Sequence, residues 1–152
     1  MLLPHVARGV NKTWSADELV CVDPGRVREI WPRVSPLLRN AVARTGLSAF
    51  AEIEHGILHG DALLWLAMSG GNGLAIDAAA STLLQQTDAG KVCVITACGG
   101  KDMASWLPLI AGIEDYARTE DCHAVRIYGR KGWLRVLDGY RATHVVMERR
   151  LG

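Results

Sequence analysis

Several stretches of the sequence hold residues with the types and spacing that chemistry needs. Glu52-x-x-His55-x-x-x-His59 puts two imidazoles at i and i+4, on one face of a helix, a spacing that can hold a metal ion. The metalloprotease pattern has its glutamate directly after the first histidine, and Gly56 stands in that slot. A polar helix surface accounts for the pair, and no metal is expected. Cys98 precedes Gly99-Gly100 near a helix start, where a thiol pKa falls and a thiolate can attack. It has no evident His or Asn partner, and a buried cysteine otherwise serves as a small hydrophobe. Ser69-Gly-Gly-Asn-Gly73 is glycine-rich but lacks the Lys-Ser/Thr of a phosphate-binding P-loop, so it reads as a tight turn. Arg126, Arg130, Lys131, Arg135 and Arg141 crowd together with only Asp138 opposing them. They form either a solvated helix face or a site for an anion, such as cofactor phosphates or a nucleic-acid backbone.

The whole chain narrows these readings. Its 152 residues suit one domain with one core, and 49% of them are apolar. The net charge of +1 sets up no global field for nucleic acid or a membrane surface. The tryptophans are spaced as core or boundary residues, not as a stacking platform on one strand face. No stretch reaches the roughly 18 unbroken apolar residues of a membrane helix; Asp61, Asp77, Lys91 and Asp102 cut the best candidates. Met1-Leu-Leu-Pro-His5 is too short and broken for a secretion signal, so a cytoplasmic location is expected. In that setting Cys21, Cys93, Cys98 and Cys122 are expected as free thiols and not as a disulfide framework.

The elements that must position these residues follow from periodicity. Residues 18–23 read as a short strand ended by Pro24-Gly25. Over 25–44, Val27, Ile30, Trp31, Val34, Leu37, Leu38 and Ala41 recur at helical steps. Pro32 and Pro36 inside that span predict two short helices or a kinked one. Ser48 is the expected N-cap of a helix to about residue 58. Residues 62–68 read as a strand and 74–85 can pair back on it as a hairpin, with Leu74, Ile76, Ala78, Ala80, Thr82 and Leu84 on one face, the alanine content of 74–85 leaving a helix as the alternative. Lys91–Cys98 is the clearest strand. An amphipathic helix to about Arg118 carries Met103, Trp106, Leu107, Ile110, Ile113 and Ala117 on one stripe. Pro108 is comfortable only in a first turn, which predicts a start near Ser105 as N-cap. A strand at 123–128, a short helix at 130–138 and a last strand at about 143–148 complete the chain. The unit at 91–128 should be a parallel strand pair with a right-handed crossover. The fold class is therefore α/β, a mixed sheet with helices on both faces.

That order resembles the GNAT (N-acetyltransferase-related) superfamily: a strand, two helices, a three-strand meander, then helix, strand, helix, strand. Ile113-Glu-Asp-Tyr-Ala117-Arg-Thr with Cys122-His-Ala-Val-Arg-Ile127 is similar to the long helix and fifth strand of that family. Gly132-Trp133-Leu-Arg-Val-Leu137-Asp-Gly139-Tyr140 with Val145-Val-Met-Glu148 is similar to its helix, Gly-aromatic turn and closing strand. The best-matched stretch is roughly 60–150, and the pattern looks especially like small GNAT-related proteins of phages and prophages. The resemblance implies acetyl-CoA as cofactor, with its pantetheine arm in a gap between splayed strands 91–98 and 123–128. It implies Ala97 and Cys98 beside the pantetheine, and Gly99, Gly100, Lys101, Met103 and Ala104 around the pyrophosphate at a helix N-terminus. Arg130 and Lys131 would reach the outer phosphates.

The sequence departs from the family in ways that bear on function. The usual cradle, Arg/Gln-x-x-Gly-x-Gly/Ala, is replaced by Gly99-Gly-Lys-Asp-Met-Ala104, with the glycines early and Asp102 facing the phosphates. The tyrosine that protonates the leaving thiolate is replaced by Arg135; Tyr128 and Tyr140 are the substitute candidates. Glu52, Glu54 and His123 are the candidate bases. Two functions are thus expected in competition. One is acyl-CoA-dependent N-acetyl transfer to an amine. The other is a non-catalytic binding, virion or assembly protein, with a protein partner or oligomer in place of a substrate.

Overall fold

The computed structural model describes residues 18–70 and 75–152. Residues 1–17, with Trp14, and 71–74 lie outside them, so most of the turn expected at Ser69–Gly73 and Leu74 of the expected second hairpin strand are not among the described residues. In chain order the elements are β1 (Glu18–Cys21), a 3-10 turn (Pro24–Arg26), α1 (Val27–Thr45), α2 (Phe50–Leu58), β2 (Leu63–Ser69), β3 (Ala75–Thr87), β4 (Gly90–Gly100), α3 (Met103–Thr119), β5 (Ala124–Ile127) and a 3-10 turn (Lys131–Arg135). The strands form a five-stranded sheet in the order β1-β2-β3-β4-β5. The first four strands pair antiparallel, and β5 lies parallel to β4. That parallel pair is bridged by α3, as the strand–helix–strand pattern requires.

The sheet buries both faces. Against one face α3 packs Trp106, Leu109, Ile110 and Ile113 onto Leu19, Trp65, Ala78, Ala80, Cys93 and Ile95. Against the other, α1 and α2 pack Val34, Leu38, Val42, Ile53 and Ile57 onto Leu64, Leu66, Ala79 and Ala97. Small side chains in β3 let both helical layers approach closely, because Ala78, Ala79 and Ala80 are all fully buried. Trp65 donates its indole N–H to Thr82 Oγ1 at 2.9 Å, satisfying two polar groups inside the core. Among the described residues no helix is long and apolar enough to cross a membrane.

Two bulges shift the phase of the sheet. Ala67 pairs with Ala78 but Met68 pairs with Ile76, so Asp77 is an extra residue in β3. It moves Ile76 onto the α1–α2 face, away from Ala78 and Ala80. The uninterrupted alternation expected for 74–85 is corrected there. Ile95 pairs with Thr82 but Ala97 pairs with Ser81, so Thr96 is extra in β4.

Several boundaries also differ from expectation. α1 is one continuous helix across Pro32 and Pro36. Its buried stripe of Val27, Trp31, Val34, Leu38 and Val42 spans both prolines, and that burial outweighs the lost donors. It ends at Gly46, φ 65°, whose N–H donates to Val42 O. α2 starts after Ala49 with no side-chain cap, so Ser48 is not its N-cap. Nor is Ser105 the cap of α3: Asp102 is, and its Oδ1 accepts from the Ser105 N–H at 2.9 Å and from Ser105 Oγ at 3.0 Å. Pro108 therefore lies inside the helix, held by the buried stripe that follows Trp106. The expected helix at 130–138 is only the 3-10 turn at Lys131–Arg135. The last strand expected at 143–148 does not form: residues 141–152 are exposed and belong to no helix, strand or turn, without a ladder partner among the described residues. Strand propensity needs a neighbouring edge to become a strand.

Candidate functional site

The bulge at Thr96 opens the sheet. β4 and β5 pair from Val92↔Ala124 to Ile95↔Ile127, and there β5 ends. β4 runs on to Gly100 paired with β3 alone, from Ala97↔Ser81 to Gly100↔Ala78. Thr96 donates its hydroxyl to Ser81 O at 3.2 Å, pinning the bulge. A bulged strand bends and twists away from its neighbour. The other edge of β4 from Ala97 to Gly100 therefore faces no strand among the described residues.

A cleft of about 190 Å³ lies at this opening. β4 and the start of α3 supply Cys98, Gly99, Gly100, Lys101, Asp102 and Trp106 to its wall. α1 supplies Leu37, Asn40, Ala41, Arg44 and Thr45, and the chain after β5 supplies Arg130 and Trp133. The indoles of Trp106 and Trp133 meet at 4.9 Å between ring centroids. Gly129 lets Trp133 lie on the backbone, because a Cβ there would come within 2.4 Å of the indole.

The two glycines are the end of a strand and not a loop. A Cβ on Gly99 would lie 2.8 Å from Leu37 O of α1, and one on Gly100 would lie 2.8 Å from Asp77 O. Close approach of backbone on both sides explains them. The next residue is tied twice to the β3 bulge: Lys101 N–H donates to Asp77 O at 3.1 Å, and Lys101 Nζ lies 3.2 Å from Asp77 Oδ1. Asp102 points its carboxylate at the first turn of α3, where it takes the Ser105 amide. That is the position an anionic ligand takes at a helix N-terminus. Arg44 and Arg130 have no ion-pair partner among the described residues.

The expected site residues divide. Cys98, Gly99, Gly100, Lys101 and Arg130 line the cleft. Ala97 is buried against the α1–α2 layer. Met103 and Ala104 open α3. Lys131 is exposed on the 3-10 turn and lies outside the cleft wall. Neither tyrosine lines it. Tyr128 is 44% exposed just beyond β5. Tyr140 donates its hydroxyl to Glu114 Oε2 of α3 at 2.7 Å, and burial followed by that bond pushes its pKa far up. Burial raises the Cys98 thiol to about 12, so it is not a thiolate nucleophile. Glu54 accepts the Trp31 indole N–H at 2.8 Å, and His123 sits at the opposite end of β4, against Gly90 and the Lys91 carbonyl. Neither these two nor Glu52 reaches the cleft. His55 and His59 stack on each other at 3.9 Å between ring centroids. Sequence reasoning missed Asn40 and Arg44; their i, i+4 spacing on α1 was the available signal.

Known proteins share this architecture at low sequence identity. An acetyltransferase from Trypanosoma brucei superposes with a TM-score of 0.60 at 18% identity, over 88% of this chain and 99% of that one. A GNAT family acetyltransferase from Staphylococcus aureus gives 0.59 at 12%, over 88% and 97%. An aminoglycoside acetyltransferase from an uncultured soil metagenomic sample, solved with sisomicin, gives 0.62 at 9%, over 89% and 96%. The fold is GNAT-like. No family profile matches the chain. No curated protein matches its sequence either. The GNAT-like sheet therefore stands on structure alone, and identities this low carry the fold without the activity.

Proposed function

We propose that the chain binds an acyl-CoA, acetyl-CoA in the first instance, in the opening between β4 and β5 and delivers the acyl group to an amine. The observation that carries this reading is the bulge at Thr96, beyond which β4 keeps an edge with no strand partner among the described residues, beside a cleft whose Arg44 and Arg130 have no ion-pair partner among them. An extended pantetheine arm with its own amides suits such an edge, as any added strand does. The phosphates fit less well at the α3 N-terminus, because the Asp102 carboxylate is already there. Arg44 and Arg130 supply the positive charge in its place, and Lys101 adds less because Asp77 neutralises it. Met103 and Ala104 then contribute only as backbone at the start of α3, and Lys131 adds charge from outside the wall.

A bound acyl-CoA supplies a thioester, whose carbonyl an amine attacks as the carbon–sulfur bond breaks. This chain's share is alignment. The edge of β4 near Ala97 and Cys98 offers backbone donors to a carbonyl oxygen, and the Trp106–Trp133 pair keeps water from one side. Among the described residues no tyrosine, histidine or glutamate lines the cleft, and the Asp102 carboxylate there is engaged by Ser105, so the proton passes to solvent or stays with the amine.

A second reading has its own support. Asp102 in the phosphate position and Tyr140 tied to Glu114 both suit a protein that keeps the fold and binds without turnover. Incubation with acetyl-CoA and a panel of amines, following thiol release, separates the two. Thiol release that needs an amine supports transfer; acetyl-CoA binding without thiol release leaves the binding protein; no binding removes both acyl-CoA readings.

A further inference from the structure

The cleft and the surface beside it differ in how much negative charge they can take. At the α3 N-terminus the Asp102 carboxylate already holds the Ser105 amide at 2.9 Å, so the usual anion seat of a helix start is taken. Coenzyme A would set a pyrophosphate against that carboxylate. The same pantetheine arm also occurs on carrier proteins, where it ends in a single phosphodiester and no nucleotide. Arg44 and Arg130 enter the cleft wall from α1 and from beyond β5. One phosphodiester shared by these two leaves Asp102 undisturbed.

The chain that leaves β5 supplies the other half of the match. It is fastened to α3 at three points. Trp133 meets Trp106 at 4.9 Å between ring centroids, Leu137 is buried in the α3-side core, and Tyr140 donates to Glu114 at 2.7 Å. What this platform presents to water is basic and apolar together. Arg130, Lys131, Arg135 and Arg141 are exposed, and none has an ion-pair partner among the described residues. Asp138 is the single acid between Asp121 and Glu148. Tyr128, Leu134 and Val136 lie exposed among these cations. Arg130 and Trp133 also belong to the cleft wall, so the platform begins at the cleft. Arginines and large apolar side chains in one patch suit a protein partner, whose contact centre is apolar and whose rim is charged. A nucleic-acid backbone asks only for the charge.

We propose that the acyl donor is held by an acidic carrier protein, which docks on residues 128–141 and passes its acylated phosphopantetheine arm into the β4–β5 opening. The inference rests on the reading that a pantetheine thioester enters there, and adds the partner that brings it. Acidic side chains of the carrier meet Arg135 and Arg141, and its phosphodiester falls to Arg44 and Arg130. Acetyl-CoA has the same arm and thioester, so it binds too, but without the contacts of the patch. With a net charge of only +1 the patch is the local source of attraction, so docking is steered there and weakens with salt.

The test is calorimetric titration of the full chain, at low and at physiological salt, with two probes. One is acetyl-CoA; the other is an acidic acyl carrier protein loaded with acetyl-phosphopantetheine. Arm and docking surface act as linked contacts, so the loaded carrier should bind about tenfold or more tighter than acetyl-CoA at low salt. The same carrier without its arm should bind about tenfold or more weaker than the loaded one. Arg135→Glu combined with Arg141→Glu should weaken the loaded carrier about tenfold or more and leave acetyl-CoA within about twofold, with circular dichroism unchanged. Leu134→Ser, made separately, tests the apolar part of the patch and should weaken the carrier alone. Acetyl-CoA binding with no gain from the carrier overturns the proposal and leaves the acyl-CoA reading standing. Binding of neither probe overturns both. Carrier binding that ignores the arm, or that survives both variants, also overturns the proposal. So does a DNA or RNA oligonucleotide that binds the patch, is lost with the charge reversals and finds no counterpart in the carrier.

Discussion

Asp102 is the residue on which the chemistry turns, because one carboxylate does two opposed things. It caps α3 through the Ser105 amide and hydroxyl, and it sets negative charge where phosphates would approach. Replacing it tells these apart. Asp102→Ala should cost about 1 kcal/mol for the lost cap, read as a lower thermal midpoint. Asp102→Asn keeps the cap acceptor and removes the charge, so stability should hold while acetyl-CoA affinity rises several-fold in a calorimetric titration. Tyr140 belongs to the scaffold. Tyr140→Phe should lower stability by about 1 kcal/mol through the lost bond to Glu114 and leave any acetyl transfer within about twofold. A large loss of turnover with unchanged stability would return Tyr140 to the chemistry. The buried thiols report through pH. Burial raises Cys21, Cys93 and Cys98 from 9.0 to about 12. Between those values the unfolded chain has lost protons that the folded chain keeps. Stability should therefore fall as pH rises above about 9, and a Cys98→Ala variant should show a shallower fall in thermal midpoint over that window.

At the scale of elements, the bulge in β4 decides whether there is a site at all. Deleting Thr96 would bring Ile95 and Ala97 into regular register with Thr82 and Ser81. The deletion keeps Ile95 and Cys98 on the α3 face and Ala97 on the α1–α2 face but straightens β4 and removes the Thr96 hydroxyl bond to Ser81 O, so a loss of cofactor binding with the fold retained is the expected result, read by thermal melts with and without acetyl-CoA. Such a bulge was not legible in the sequence: Lys91–Cys98 alternates as an ordinary strand, and nothing in Val-Ile-Thr-Ala marks the extra residue. Order and pairing were legible, because the hairpin turns and the strand–helix–strand unit follow from periodicity and from glycine placement. Where helices began was not. Ser48 and Ser105 are good caps by type, but Asp102 has the stronger acceptor and sits where α3 must start to bury Trp106. α1 shows the opposite failure, in which proline content outweighed the stripe in the reading though not in the fold. Pro36 is exposed, so Pro36→Ala should restore a donor at no packing cost and raise stability by about 1–3 kcal/mol in denaturant titration. The closing strand at 143–148 was expected from its pattern alone, and pattern does not say which edge it will meet.

For the whole molecule, a net charge of +1 means that any attraction for an anionic cofactor must come from the cleft and not from a global field. Arg44 and Arg130 approach it from opposite sides, one from α1 and one from beyond β5, so ligand binding should tie the two halves of the sheet together. A ligand at one hundred times its dissociation constant adds about 2.7 kcal/mol, which for a chain of this length moves the thermal midpoint by roughly 5–10 °C. The most direct test of the opened β4 edge as a binding site is calorimetric titration of the full chain with acetyl-CoA, repeated on Arg44→Ala and Arg130→Ala. A saturable heat with one ligand per chain, weakened about tenfold or more by either arginine change and by added salt, is the predicted result. Absence of any heat at millimolar acetyl-CoA, or binding indifferent to both arginines, would contradict it.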